Sequence, residues 1–283
     1  MSEDRIKFDL NELSVQTAEL YNMSIRLLPD GLTFTLSLAS DGEVSYAAFL
    51  PAESGHQSYE AAIKELFFRH SMLCLPYKSV SVYYQPVCSV AIPEELYSQG
   101  RVAQWLDAVF DPATCNLSKG DLIDLIYPLK SEGKILAFYY YRDLVNFLKR
   151  TLLVVHAVPY FIPSLENIRI ESRVTQGKKL CLYLRPERID YLLVDQGKTV
   201  YTNSFILTSG ALPAESIDEI IFYTFTLWRS LSLDSQVDSV KILYALLPEG
   251  AQETLELQSM AEQLQSLLEA YISQVSLQSY QAF

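Results

Sequence analysis

Few residues in this chain have the types and spacing that chemistry requires. The three histidines, at 56, 70 and 156, are isolated, which is sparse for general acid–base work. The four cysteines, at 74, 88, 115 and 181, form no close-spaced pair of the kind that holds zinc or cycles a disulfide. No Walker-type loop, Gly-x-Ser-x-Gly elbow or His-Glu-x-x-His pair occurs. Two short stretches keep chemical interest. Pro29-Asp30-Gly31 sets a carboxylate beside a glycine, which could serve a metal or a phosphate, since glycine lets backbone N–H groups come close to an anion. The same three residues each favour a β-turn for separate steric reasons, and the turn is the simpler reading. Arg185-Pro186-Glu187-Arg188 has no glycine but carries two guanidinium groups, which can hold phosphate through side chains.

Both stretches are turns between strands. From Lys179 to Leu207, apolar residues alternate with polar ones through Leu182 and Leu184, then Ile189, Tyr191 and Leu193, then Tyr201 and Phe205. That alternation predicts three short strands with one buried face, because successive side chains on a strand point to opposite sides. A near copy starts at Ser24, with Ile25 and Leu27, then Leu32, Phe34 and Leu36, then Tyr46 and Leu50. A helix follows each triplet, one from Ser58 and one opened by the capping-box pattern Ser216-Ile217-Asp218-Glu219. A strand follows each helix, Ser79–Tyr83 and Ser239–Leu243, running on to Pro93-Glu94 and Pro248-Glu249 respectively. The repeated order predicts an internal duplication of a β-β-β-α-β unit.

The remaining segments fit around the two copies. Residues 4 to 22 form a lead-in in which Phe8, Leu10, Leu13 and Val15 could add an edge strand. An insertion spans about 94–160, with a strand pair at Leu122–Pro128 and Lys134–Tyr141, a helix at Arg142–Arg150 and a buried strand at Leu152–Val158. The aromatic run Phe138-Tyr139-Tyr140-Tyr141 reads as packing, as does His70 near the apolar stripe of the first helix. The second copy's helix is apolar on nearly every side and should lie between the lobes; the last, about Ala251–Tyr271, has one apolar stripe. The chain divides into 1–175 and 176–283, with the boundary at Gln176-Gly177-Lys178.

Composition excludes several functions. Acidic residues outnumber basic ones 34 to 22, a formal net charge of −12, and nucleic acid binding needs the opposite balance. Beyond Thr199 only Arg229 and Lys241 oppose ten carboxylates. The start, Met1-Ser2-Glu3-Asp4-Arg5, lacks a secretion signal, and no apolar stretch is long enough to cross a bilayer, so a cytoplasmic protein without membrane insertion is expected.

The element order resembles the ribonuclease-H-like halves of the actin-like ATPase superfamily, and the chain also looks like a family of uncharacterised bacterial proteins with this fold. The stretch that carries the second likeness is Ser24-Ile25-Arg26-Leu27-Leu28-Pro29-Asp30-Gly31. The resemblance implies a mixed α/β protein of two such lobes with a nucleotide cleft between them. It points to Asp30, Gly31 and Thr33 at the first phosphate turn, Arg188 at the second, and Gly250 at the adenosine motif. Each of the three motifs departs from the superfamily pattern. Asp30 and Gly31 are adjacent where one residue should separate them, the Arg185–Arg188 turn lacks glycine, and Glu249 would bring negative charge to a nucleotide. The expected function is therefore a catalytically silent scaffold that binds another, unknown protein, with no cofactor and no metal. The alternative is an ATP- and magnesium-dependent switch with divergent phosphate turns.

Overall fold

The structure, a computed structural model, describes residues 13–28, 30–53, 58–112, 117–185, 188–207, 213–246 and 252–281. Two five-stranded sheets form the frame. The first contains β1 (Tyr21–Leu28), β2 (Gly31–Leu38), β3 (Val44–Pro51), β4 (Ser79–Tyr84) and β8 (Val155–Pro159), in the order β3-β2-β1-β4-β8. The second contains β9 (Lys179–Arg185), β10 (Arg188–Asp195), β11 (Lys198–Ile206), β12 (Ser239–Leu246) and β13 (Val275–Gln281), in the matching order β11-β10-β9-β12-β13. In each, the first three strands are antiparallel, and the fourth lies parallel to the first because a helical crossover separates them.

The duplication extends to register. Met23 and Ile25 pair with Val80 and Val82 as Leu180 and Leu182 pair with Val240 and Ile242. Each lobe also slips its second hairpin at the same place, between Leu36 and Ser37 in one and between Leu193 and Val194 in the other. Gly31 is required by crowding: at φ +155°, a Cβ there would run into the Leu50 carbonyl and come within 3.0 Å of Ala52 N. At the β10–β11 turn, Gln196 and Gly197 both take positive φ, 47° and 76°, as a tight hairpin demands.

Helices cover the outer faces. On the first sheet, α2 (Tyr59–Arg69) and α4 (Arg142–Thr151) bury Ile63, Leu66, Phe67, Leu144, Val145 and Leu148 against Ile25, Phe34 and Val82. The Ser58 hydroxyl caps α2, accepting from Ala61 N at 3.2 Å. On the second sheet, α6 (Pro213–Ser230) and α7 (Gln252–Glu269) do the same work. Between α4's strand and the second lobe, α5 (Ile162–Ser172) crosses to the opposite, inner face of the second sheet, burying Leu165 and Ile168 against Tyr183, Leu192 and Leu243.

Several expectations need correction. The fourth strand of the first lobe does not run through to Pro93; it ends at Tyr84, and β5 (Cys88–Pro93) joins β7 (Lys134–Tyr141) and β6 (Leu122–Leu129) in a separate three-stranded sheet flanked by α3 (Val102–Asp107). Alternation continues across the break, so sequence pattern alone cannot see it. α4 and β8, grouped with the 94–160 insertion, have counterparts in the second lobe, α7 and β13. Leu13 precedes and Val15 begins a short helix, α1 (Val15–Ala18), rather than an edge strand; Phe8 and Leu10 lie outside the described residues. α6 starts at Pro213, so Ser216 is inside the helix instead of capping it. It packs one side on its sheet and leaves Phe222 65% exposed, so it does not lie between the lobes. Of the α7 stripe, Leu267 and Tyr271 face outward.

Candidate functional site

Ligands of open α/β sheets bind beyond the carboxyl ends of parallel strands. Here the ends of β1, β4, β9, β12 and β13 meet at the lobe junction, and side chains of the protein itself fill it. Arg185, the last residue of β9, is buried beside Asp190 of β10, which is 2% exposed. Its Nη2 donates to Asp190 Oδ1 at 3.2 Å, while Nε lies 3.0 Å from Oδ2 without hydrogen-bond alignment, a Coulombic contact only. The guanidinium also reaches the first lobe, donating to the Pro86 carbonyl at 3.2 Å and to Gln85 Oε1 at 3.3 Å. Tyr160 donates to Asp190 Oδ2 at 2.5 Å, and the Ser204 hydroxyl donates to Oδ1. Tyr160, Tyr183 and Tyr280 form a triangle of rings with centroids 5.9 to 6.1 Å apart, and Arg185 lies over the Tyr160 ring at 5.2 Å. From the first lobe, Arg26 stacks over Tyr83 at 4.5 Å, and Leu28 packs against Phe49 and Ala245 of β12.

The electrostatics suit a permanently paired group. Burial alone would lower the Arg185 pKa, but the adjacent Asp190 carboxylate together with Tyr160 and Tyr280 outweighs it, and the guanidinium is held above its usual value. Burial, then the Asp190 charge, raises Tyr160 well above the ordinary phenol. Burial likewise raises Tyr183 and Tyr280, and pushes the neighbouring Cys181 thiol up to about 12, so that thiol is protonated and unreactive.

A second buried ion pair fixes the inserted sheet to the other lobe. Glu132, in the β6–β7 turn with its side chain fully buried, sits 2.9 Å from Arg169 Nε of α5 and accepts from Thr199 N at 2.7 Å and Thr199 Oγ1 at 3.0 Å. Arg169 also donates to the Gly197 carbonyl at 3.0 Å and to Ser131 Oγ at 2.7 Å.

The residues singled out by sequence do not form one constellation. Asp30 sits in the β1–β2 turn, its main-chain carbonyl accepting from Ala52 N at 2.7 Å, its Oδ1 buried without a hydrogen-bond partner among the described residues. Gly31 is closed in by β3. Thr33 is buried within β2, opposite Arg26 and Phe49. Arg188 donates to the same Pro86 carbonyl as Arg185, at 3.4 Å. Gly250 and Glu249 lie outside the described residues, as do Pro29, Pro186 and Glu187. These groups fit a nucleotide poorly: the glycine of the first turn faces protein backbone at contact distance, and the guanidinium groups of the second already face Asp190 and Pro86. A pocket of about 380 Å³ opens at the N-termini of α2 and α4, but Glu60, Asp121 and Asp143 in its lining would repel phosphate. Among the described residues no group of His, Cys, Asp or Glu is arranged to hold a metal, and no helix is long and apolar enough to cross a membrane.

Sequence reading missed Asp190, Tyr160 and Tyr280. The signal for Asp190 was present: it is a lone carboxylate in the apolar run Ile189–Val194.

Comparison with known proteins agrees with the fold. The model of the family described as "Protein of unknown function (DUF3822)" matches residues 10–273. No curated protein matches the sequence. A Bacteroides thetaiotaomicron protein with an actin-like ATPase fold and unknown function is similar over 94% of this chain and 93% of its own, with a TM-score of 0.76 at 20% identity. The PilM–PilN type IV pilus biogenesis complex supplies a second similar structure, with a TM-score of 0.52 at 12% identity over 92% of this chain and 88% of its own.

Proposed function

The chain belongs to the DUF3822 family of unknown function and has the actin-like ATPase fold, and we propose that it is a catalytically silent scaffold of that fold, acting through protein contacts. One observation carries the reading: Arg185, Asp190 and Tyr160 occupy the junction where strand ends would otherwise receive a ligand, and they bind one another and the first lobe. A buried charge pair of this kind is costly to open, because separating it leaves an unpaired charge out of water. The pilus structure of similar fold is a protein complex, and the proposal gives this chain a comparable use, in the cytoplasm and without nucleic acid, since a net charge of −12 repels phosphate.

The test is a melting curve. A ligand at a hundred times its dissociation constant adds about 2.7 kcal/mol to stability, which a thermal shift reads easily. Millimolar-range magnesium-ATP, magnesium-ADP and GTP should leave the curve unchanged. The buried, unpartnered Oδ1 of Asp30 is the observation that favours the nucleotide-switch reading. A magnesium-dependent stabilisation that vanishes in Asp30→Ala would replace the scaffold with that switch. Stabilisation lost instead in Arg188→Ala would point to an anion site held by side chains.

A further inference from the structure

Sheet edges are where a fold can pair with another chain, because an edge strand keeps one row of N–H and C=O groups without a partner. The two five-stranded sheets end at β3 and β8 in the first lobe and at β11 and β13 in the second. The third sheet attends to two of these edges, with β6 alongside β8 and β5 alongside β11. β3 is blunted by its own sequence: its ladder with β2 slips near its start, and it ends at Pro51. β13 has no such protection. It pairs with β12 in unbroken register from Val275 to Gln281, carries α7 on its outer face, and has no described strand along its other edge. Its sequence, Val275-Ser276-Leu277-Gln278-Ser279-Tyr280-Gln281, lacks the charges and prolines that usually guard an edge. In a chain of net charge −12, no residue from Ala270 to Gln281 is charged. Val275 and Leu277 pack on the core beneath α7 and Tyr280 on the inner core, while Ser276 and Gln278 are exposed.

We propose that β13 is a self-association edge, pairing antiparallel with β13 of a second copy about a two-fold axis. The strand itself specifies its own copy as the occupant. In such a pair, residues equidistant from the axis face each other, and full overlap of the 7-residue strand puts the axis at its middle residue, Gln278. Val275 then lies opposite Gln281, Ser276 opposite Tyr280 and Leu277 opposite Ser279, so each side chain keeps the face of the sheet it already occupies. The residue on the axis meets itself. A charge there would repel its twin, whereas a glutamine amide both donates and accepts and so bonds to an identical amide. The uncharged run favours the same partner, because two copies of charge −12 repel and here they approach without setting like charges opposite each other. The contact is isologous, so it closes at a dimer and joins the two second sheets into one continuous sheet. A single strand pair, about 23 Å long at roughly 3.3 Å per residue, covers less than the roughly 800 Å² per partner of a stable interface, so the dimer is weak, in the micromolar range or above. It does not depend on whether the chain is a scaffold or a switch.

Sedimentation of the full chain from about 1 μM to about 1 mM tests the proposal. The weight-average mass should rise with concentration and level off at two chains, more readily at about 0.5 M salt than at about 0.05 M, because the seam has no ion pair to screen and the like-charged chains repel. Gln278→Glu and Gln278→Lys should each weaken the dimer by roughly tenfold, and an equimolar mixture of the two should restore it, since the axis then pairs opposite charges. Under mild oxidation Gln278→Cys should cross-link to its own copy, because directly opposed residues have Cα atoms about 4.5–5.5 Å apart, within reach of a disulfide. Ser276→Cys should cross-link no more than the wild-type chain, whose Cys74 is also exposed, because its twin lies roughly 13 Å away along the strand. Both positions are exposed, and an unchanged circular dichroism melt at low concentration separates lost contact from lost folding. A monomer throughout the range would overturn the proposal and leave the edge to a strand of another protein. So would a dimer that both charge variants retain, or one that Ser276→Cys cross-links as well as Gln278→Cys does.

Discussion

The inner faces of the two sheets occupy equivalent positions and have opposite character. On the second sheet, Cys181, Tyr183, Leu192, Val194 and Leu243 are each at most 1% exposed beneath α5. The register places Ser24, Arg26, Thr35, Ser37 and Tyr83 at the same five sites of the first sheet, all only partly buried. The outer faces show no such divergence: Ile25, Leu27, Val82 and Tyr84 repeat as Leu182, Leu184, Ile242 and Tyr244, buried in both lobes. A duplicated frame thus keeps the face whose burial its own helices guarantee. The other face follows whatever lies over it, apolar beneath α5 and polar where water reaches. At two pairs of equivalent sites the difference reaches charge, with Arg26 in the first lobe against Tyr183 in the second, and Thr33 in the first against the junction's Asp190 in the second.

That last pair sharpens the comparison most. Asp190→Ala should cost about 3–5 kcal/mol in chemical denaturation, because it leaves Arg185 buried without its counter-charge. Thr33→Ala, which strands no charge, should cost roughly 1 kcal/mol. Equal losses would mean that the junction pair is not structural. One position further along each inner face, Leu192→Ala should cost about 2–5 kcal/mol as a core truncation, and Thr35→Ala should stay within about 0.5 kcal/mol. A large effect at Thr35 would show that something covers the first sheet after all.

A further effect comes with pH and is absent at neutrality. Burial raises the tyrosine pKa values in both lobes, Tyr84, Tyr140 and Tyr160 in the first and Tyr183 and Tyr191 in the second. A raised folded pKa means the native state holds its proton more tightly than the unfolded chain. Stability from these groups is therefore complete below about pH 10, the unfolded phenol value, and declines above it by about 1.4 kcal/mol per pH unit for each group. Denaturation midpoints measured from neutral pH upward should be flat to about pH 10 and then fall. Phenolate absorbance should appear together with unfolding, not before it. Early phenolate absorbance in a folded protein would identify tyrosines less enclosed than these.

The period-two alternation of Leu182, Leu184, Ile189, Tyr191 and Leu193, and of their partners from Ile25 to Leu36, was enough to place both strand triplets, because side-chain direction on a strand is a local property. The Pro, Asp and Gly residues between them were enough to place the turns. The helices after each triplet and the parallel return of the fourth strand followed from element order. Local pattern carries no record of what lies opposite a face. It therefore missed the passage of the chain from β4 into a third sheet at Cys88, and it placed α6 between the lobes when one side of that helix meets water. The candidate site divides in the same way. Arg185 and Arg188 were visible as charges in a turn, but their commitment to Asp190 and Pro86 arises only where the lobes meet, and Tyr160 reaches Asp190 from 30 residues away. The sequence by itself determined the repeated frame and its buried outer faces; the tertiary structure alone decided that the junction would be filled from within, because ion pairing and coverage depend on distances between segments far apart in the chain.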